Sequence, residues 1–162
     1  MENKNDSTAL AKVGTAIGVG LIAGLAGTIA ITICQRVDMK ITGRKGSDTP
    51  AKAVREALDI KPVSESESKE LSTKVHWVYG TLWGAVRGMI HLLGLRGLAA
   101  SSIHFGGVWV TELVMLPSLR VAPPVTKESA ETIAKDAFFH GVYALATGLV
   151  FDAIMNEEKK NR

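Results

Sequence analysis

The chain has 162 residues, enough for one domain with a buried interior. Nineteen lysines and arginines against sixteen acids leave a net charge of +3. That charge sits in the connections between apolar runs and forms no basic patch interleaved with aromatics, so nucleic acid is not an expected partner. A single cysteine, Cys34, excludes an intramolecular disulfide and a cysteine-built metal centre; near a helix end it reads as a small apolar residue.

After a polar tail over residues 1–12, Val13–Cys34 ("VGTAIGVGLIAGLAGTIAITIC") carries no charge over more than the roughly 20 positions that a bilayer requires. The run is far longer than the apolar part of a signal peptide and no A-x-A site closes it, so the expectation is an uncleaved first span. Gly14/Gly18 and Gly20/Gly24 repeat at a spacing of four, which suits close helix packing in lipid.

The connection Gln35–Lys74 is densely charged. Within it "SDTPAKAVREALDI" predicts a short amphipathic helix, with Thr49 as N-cap, Pro50 at the first helical position, and Ala51, Val54 and Leu58 on one face. Arg44 and Lys45 precede its N-terminus, where basic side chains and free amides suit a lipid phosphate; a solvated, well-capped helix is the plainer reading.

Val75–Gly94 is the second expected span. At 100° per residue His76, Gly80, Gly84, Arg87 and His91 fall on one stripe, so the polar groups share the face that Gly80, Gly84 and Gly88 open for packing. Leu98–Pro117 is the third, with Ser101, His104 and Glu112 on one face. Ala137–Met155 is the fourth, with His140, Ala144, Gly148 and Asp152 on a broader one, and residues 156–162 form a polar tail. Trp77 suits an interfacial anchor; Trp83 and Trp109 lie deeper and read as packing residues.

Four spans place both termini and the Leu95–Gly97 turn on one side of the membrane. The long connections, Gln35–Lys74 and Ser118–Asp136, lie on the other and carry twelve lysines and arginines against six, which favours termini outside and connections in the cytoplasm. Counting about 1.5 Å per residue from that side sorts the charges into two layers. Arg87, His91, His104 and Asp152 lie toward the outside, and His76, Glu112 and His140 toward the cytoplasm. An unpartnered charge near the bilayer centre costs about 2.5–3.5 kcal/mol even on insertion scales, so Arg87 and Asp152 are expected to pair, as a structural clamp or as part of a mechanism. Imidazole and carboxylate at His76, Glu112 and His140 suit a divalent metal or a proton; hydrated histidines near the interface are the alternative.

"HWVYGTLWGAV" at His76 aligns with "HGVYALATGLV" at His140, and "PVS" at Pro62 with "PVT" at Pro124, which suggests a duplicated two-helix unit whose copies relate by an axis along the membrane normal. The fold class expected is therefore an all-α polytopic membrane protein, a four-transmembrane-helix bundle. No G-x-S-x-G, H-E-x-x-H or phosphate-binding glycine loop is present, so no enzyme and no cofactor is expected.

"AGLAGT", "TGRKGSDTPA", "HWVYGTLWGAVRG", "HFGGVWVTELVMLP", "VAPP" and "HGVYALATG..FDA", spread from Ala23 to Asp152, resemble a family of small bacterial four-span integral membrane proteins. The resemblance implies a protein of the bacterial inner membrane and implies no activity. The function expected is a non-enzymatic structural or interaction protein of the envelope, in contact with the lipid bilayer and with a second copy or a membrane partner. The alternative is a small transporter or channel subunit for protons or divalent metal ions.

Overall fold

The computed structural model describes residues 4–61 and 64–160. Among them are five α-helices and no strand: α1 (Lys4–Thr42), α2 (Thr49–Leu58), α3 (Glu65–Leu92), α4 (Gly97–Ser118) and α5 (Ala130–Lys160), with a single 3-10 turn, Val125–Lys127, before α5. Pro62 of the "PVS" match and Arg162 of the charge count lie outside the described residues.

Among the described residues three helices, not four, are long and apolar enough to cross a membrane: Ala9–Thr42 in α1, α4, and Ala130–Glu158 in α5. The second expected span, in α3, falls short. His76, Arg87 and His91 interrupt its apolar half, and its first turns are "ESESKELSTK". Ser64 starts that polar half with a reciprocal cap: its hydroxyl accepts from Glu67 N (3.3 Å), and the Glu67 carboxylate accepts from Ser64 N (2.9 Å). The Ser64 hydroxyl, donating to Glu67 Oε2 at 2.6 Å, and the Ser64 amide together hold the Glu67 carboxyl below its usual range.

The first connection is helical over most of its length, because α1 runs on to Thr42 and α3 begins at Glu65; α2 fills only part of it. The N-cap of α2 is Asp48 rather than Thr49, and Thr49 is the first helical residue, its amide donating to Ser47 Oγ at 3.1 Å. The buried face of α2 is Ala51 and Ala53, while Leu58 is exposed. Small residues let α2 lie close on α3, where Ala51 N donates to Ser72 Oγ at 3.2 Å. Asp59 closes α2 in the left-handed region, φ 51°.

The four long helices touch in a ring: α1 meets α3 and α5, and α4 meets α3 and α5. The tightest seam is α1 on α3. A β-carbon at Gly24 would lie 2.6 Å from the Thr81 carbonyl oxygen and 2.7 Å from Gly84 Cα; one at Gly84 would strike the Gly20 carbonyl and, at 2.6 Å, Gly24 Cα. Gly88 lies against the Ala16 carbonyl and Gly80 against the Thr28 side chain, whereas Gly14 and Gly18 face open space. On the other seam Gly148 lies against the Ser101 hydroxyl.

The interior is unlike that of a water-soluble domain. Arg87, His104, Thr28 and Thr147 are fully buried, while Ile22, Leu25, Val78, Leu82, Ile103, Val110, Leu145 and Leu149 are exposed. Apolar side chains face out from all four long helices, and small and polar ones face in. The apolar core is a short layer of Ile31, Val108, Phe139, Tyr143 and Ala144, flanked by Cys34, Trp83 and Phe105.

Candidate functional site

At the end of the molecule that carries α2, the helices splay around an open cleft of about 1570 Å³. Thr28 and Thr32 of α1, His76 of α3, Glu112 of α4, and Asp136 and His140 of α5 line it, together with Gly80, Trp83 and Tyr143. Arg44 and Lys45 stand on its rim. Arg44 is held there by Asp38 (3.2 Å), which also takes Lys135 of α5 (3.1 Å) and so ties the two walls together.

Within the cleft one ligand atom from each of Glu112, Asp136 and His140 lies within 4.8 Å of the other two. His140 is the hub. Its Nδ1 donates to the Asp136 backbone carbonyl at 3.0 Å and lies 3.4 Å from Asp136 Oδ1. Its Nε2 faces Glu112 Oε2 at 2.6 Å. Trp109 Nε1 donates to Asp136 Oδ2 at 2.8 Å and fixes that carboxylate. Trp109 is therefore a positioning residue as well as a packing one.

Both ring nitrogens of His140 thus face acceptors. Nδ1 carries its proton toward Asp136, and the lone pair of a neutral imidazole at Nε2 would meet a carboxylate head-on. The contact is attractive only if a second proton lies between them; a metal ion, at about 2.0–2.2 Å from each ligand atom, would displace that proton and open the contact. The donor set, one imidazole and two carboxylates, suits borderline divalent metals, and the Asp136 carbonyl on Nδ1 is the support that metal-bound histidines ordinarily have. The residues present fit a divalent metal held by His140 and Glu112, with Asp136 beside them.

The grouping differs from His76, Glu112 and His140. His76 lies in the same cleft, but its Nε2 donates to Thr32 Oγ1 at 3.0 Å, because the Thr32 hydroxyl spends its own proton on the Thr28 carbonyl at 2.6 Å. Asp136 takes the third place. The spacing held a signal for it: Asp136 precedes His140 by four residues and so shares its helix face. Trp77 lies edge-on to His76, ring centroids 6.2 Å apart.

Below the cleft Tyr143 donates to the Gly80 carbonyl at 2.6 Å, and His104 Nε2 donates to the Trp83 carbonyl at 2.9 Å. Trp83 flanks the His104 ring at 6.3 Å. Both bonds satisfy α3 carbonyls beside glycines, where no side chain of α3 shields the backbone. Further on, Arg87 Nη2 donates to Asp152 Oδ1 at 2.6 Å, with Arg87 fully buried and Asp152 partly exposed. The guanidinium also sits 4.4 Å from the Phe151 ring centroid. Asp152 Oδ2 accepts from Gly97 N at 3.2 Å, placing the carboxylate at the N-terminus of α4. His91 packs on Phe151 at 5.2 Å, at the mouth of a smaller cavity lined by Lys12, Thr15 and Arg96.

No protein-family model matches this chain, and no curated protein and no solved structure matches it either.

Proposed function

We propose that the chain is a four-span protein of the bacterial cytoplasmic membrane that binds a divalent metal ion, in exchange for a proton, in the cleft at its α2 end. The observation that carries this reading is the cluster of Glu112, Asp136 and His140, whose ligand atoms lie within 4.8 Å of one another, with a proton held in the His140–Glu112 contact for the metal to displace.

Counting α3 as the fourth span rests on its surroundings rather than its composition. Its polar members face the other helices, with Arg87 fully buried and His76 partnered, while Val78, Leu82 and Met89 face outward with the apolar residues of its neighbours. A helix with its charge satisfied inside the protein presents lipid with an apolar surface. The ring of contacts also supports a duplicated pair, α1–α3 and α4–α5. In each, a histidine of the second helix bonds a polar group of the first: His76 to Thr32, His140 to Glu112. A glycine eight residues on, Gly84 or Gly148, seats the seam. Charge distribution, twelve lysines and arginines against six, supports a cleft on the cytoplasmic side and termini outside.

The test is thermal unfolding of the detergent-solubilised protein in graded Zn²⁺, Mn²⁺ or Co²⁺, beside Glu112→Gln. A ligand at 100 times its Kd adds about 2.7 kcal/mol to the folded state, so the wild-type midpoint should climb with metal concentration and that of the variant should not. If none of these metals moves the wild-type midpoint, the site binds no metal. The His140 contact is then a protonated structural bridge, and a non-enzymatic structural or interaction role takes its place.

A further inference from the structure

The seam between α3, α4 and α5 holds polar side chains at successive helical turns from the cleft to the far end. First come Tyr143 and His104, their rings 5.6 Å apart. Next is a level of Ser101 and Arg87. Gly148 joins the last of these to the first, since a β-carbon there would strike Ser101 Oγ and lie 4.0 Å from Arg87 Nε. Last is Asp152, on Arg87 and on the amide of Gly97. Three atoms of this row are buried without a hydrogen-bond partner in the protein: Arg87 Nε, Arg87 Nη1 and His104 Nδ1. Both residues are fully buried.

Their chemistry selects the missing partner. His104 Nε2 donates to a carbonyl, so in the neutral ring Nδ1 is a lone-pair acceptor. The two arginine nitrogens are donors. An anion would suit the arginine and be repelled by the imidazole lone pair, and a cation the reverse. Water satisfies both, accepting from one and donating to the other, and buried polar groups left by the protein are ordinarily satisfied in this way. The Ser101 hydroxyl continues such a chain.

We infer that the α3–α4–α5 seam is an internal water file that carries protons between the cleft and the far end of the bundle, and that the Arg87–Asp152 ion pair closes it. The pair has the geometry of a closure: it lies where the file ends, it is anchored on three helices through Arg87, Asp152 and Gly97, and only Asp152 of the two is exposed. The transported species is a proton, passed along hydrogen bonds; nothing is oxidised or reduced, and the pair closes the file without itself giving up a proton. The inference does not rest on metal binding at His140.

Two measurements test it, both in chelator so that the cleft holds no divalent metal. The first is proton flux into proteoliposomes containing a pH-sensitive dye. Asp152→Asn removes the anion, keeps the volume, and should raise the flux at least about tenfold over wild type. Adding Ser101→Ala to that variant should return the flux toward the wild-type level. Flux in Asp152→Asn equal to that of wild type overturns the proton path. The second leaves the ion pair intact, so it decides the matter even if Asp152→Asn does not fold. In a Cys34→Ser background, Ser101→Cys should react with Ag⁺ at least about tenfold faster than Ile103→Cys, which faces outward among apolar residues on the same helix. Equal rates mean that the seam is dry and overturn the proposal.

Discussion

Adding one methyl group at Gly84 tests the α1–α3 seam most sharply. The β-carbon of Gly84→Ala would meet the Gly20 carbonyl, Gly24 Cα at 2.6 Å and Gly24 N at 2.7 Å, all of them backbone atoms of α1. No rotamer change relieves a backbone contact, so the helices must part until 2.6 Å becomes an ordinary 3.4–4 Å contact. Parting them loosens Gly20, Gly88 and Gly80 together, since all pack on the same seam. Overpacking of this kind costs about 1–3 kcal/mol, and the lost contacts of the neighbouring glycines place the expected value at or above the upper end. At roughly 2–4 °C per kcal/mol for a chain of this size, the melting midpoint in detergent should fall by on the order of 10 °C. Gly18→Ala is the control, on α1, the other helix of the pair, with nothing within 4 Å of its β-carbon; it should be neutral or stabilising by up to about 1 kcal/mol. Equal midpoints for Gly84→Ala and Gly18→Ala would refute the seam.

Removing the anion from the buried ion pair by Asp152→Ala leaves the Arg87 guanidinium unpaired inside the protein and should cost about 3–5 kcal/mol. The double variant Arg87→Met/Asp152→Ala should recover most of that loss, which comparison of the two midpoints reads directly. A pH effect is expected at the start of α3. The folded-state pKa of Glu67 lies below its ordinary value of 4.5, so the capping contribution is fully present above 4.5 and is lost as pH falls through the lower, folded value. Amide exchange at residues 65–68, corrected for its intrinsic pH dependence, should lose protection below pH 4.5, and Ser64→Ala should abolish that dependence.

Sequence periodicity makes legible those features that depend on helical phase alone. The facing of Gly80, Gly84 and Gly88 follows from a spacing of four, and the meeting of Arg87 with Asp152 follows from matched depth on helices that turn inward. Features that depend on how neighbouring helices are rotated are not legible in this way. His76 and His140 stand at corresponding positions, yet a threonine hydroxyl claims one and a glutamate the other. Thr32 sits in an apolar run where a hydroxyl gives no warning of its partner. Asp136 lies at the boundary between connection and span, and boundaries are where a hydropathy reading is least exact. The deficit of α3 has the same root. Its apolar character is judged residue by residue, whereas the protein neutralises His76 and Arg87 through groups on other helices. The Ser64–Glu67 box was available in "SESE" as a serine followed three residues later by a glutamate, just ahead of the apolar run.

The unbroken course of α1 has a mechanical consequence. At about 1.5 Å per residue its 39 residues reach well beyond a hydrocarbon layer of roughly 30 Å. One stiff rod therefore carries outward-facing Ile22, Leu25 and Ile29 at one level and a wall of the cleft, through Thr32, Gln35 and Met39, at the next. A bilayer that thins or thickens changes the tilt of such a rod. The cleft mouth must then widen or narrow with it, against the restoring pull of Asp38 on Lys135. The thickness of the surrounding lipid becomes a lever on the aperture above His140.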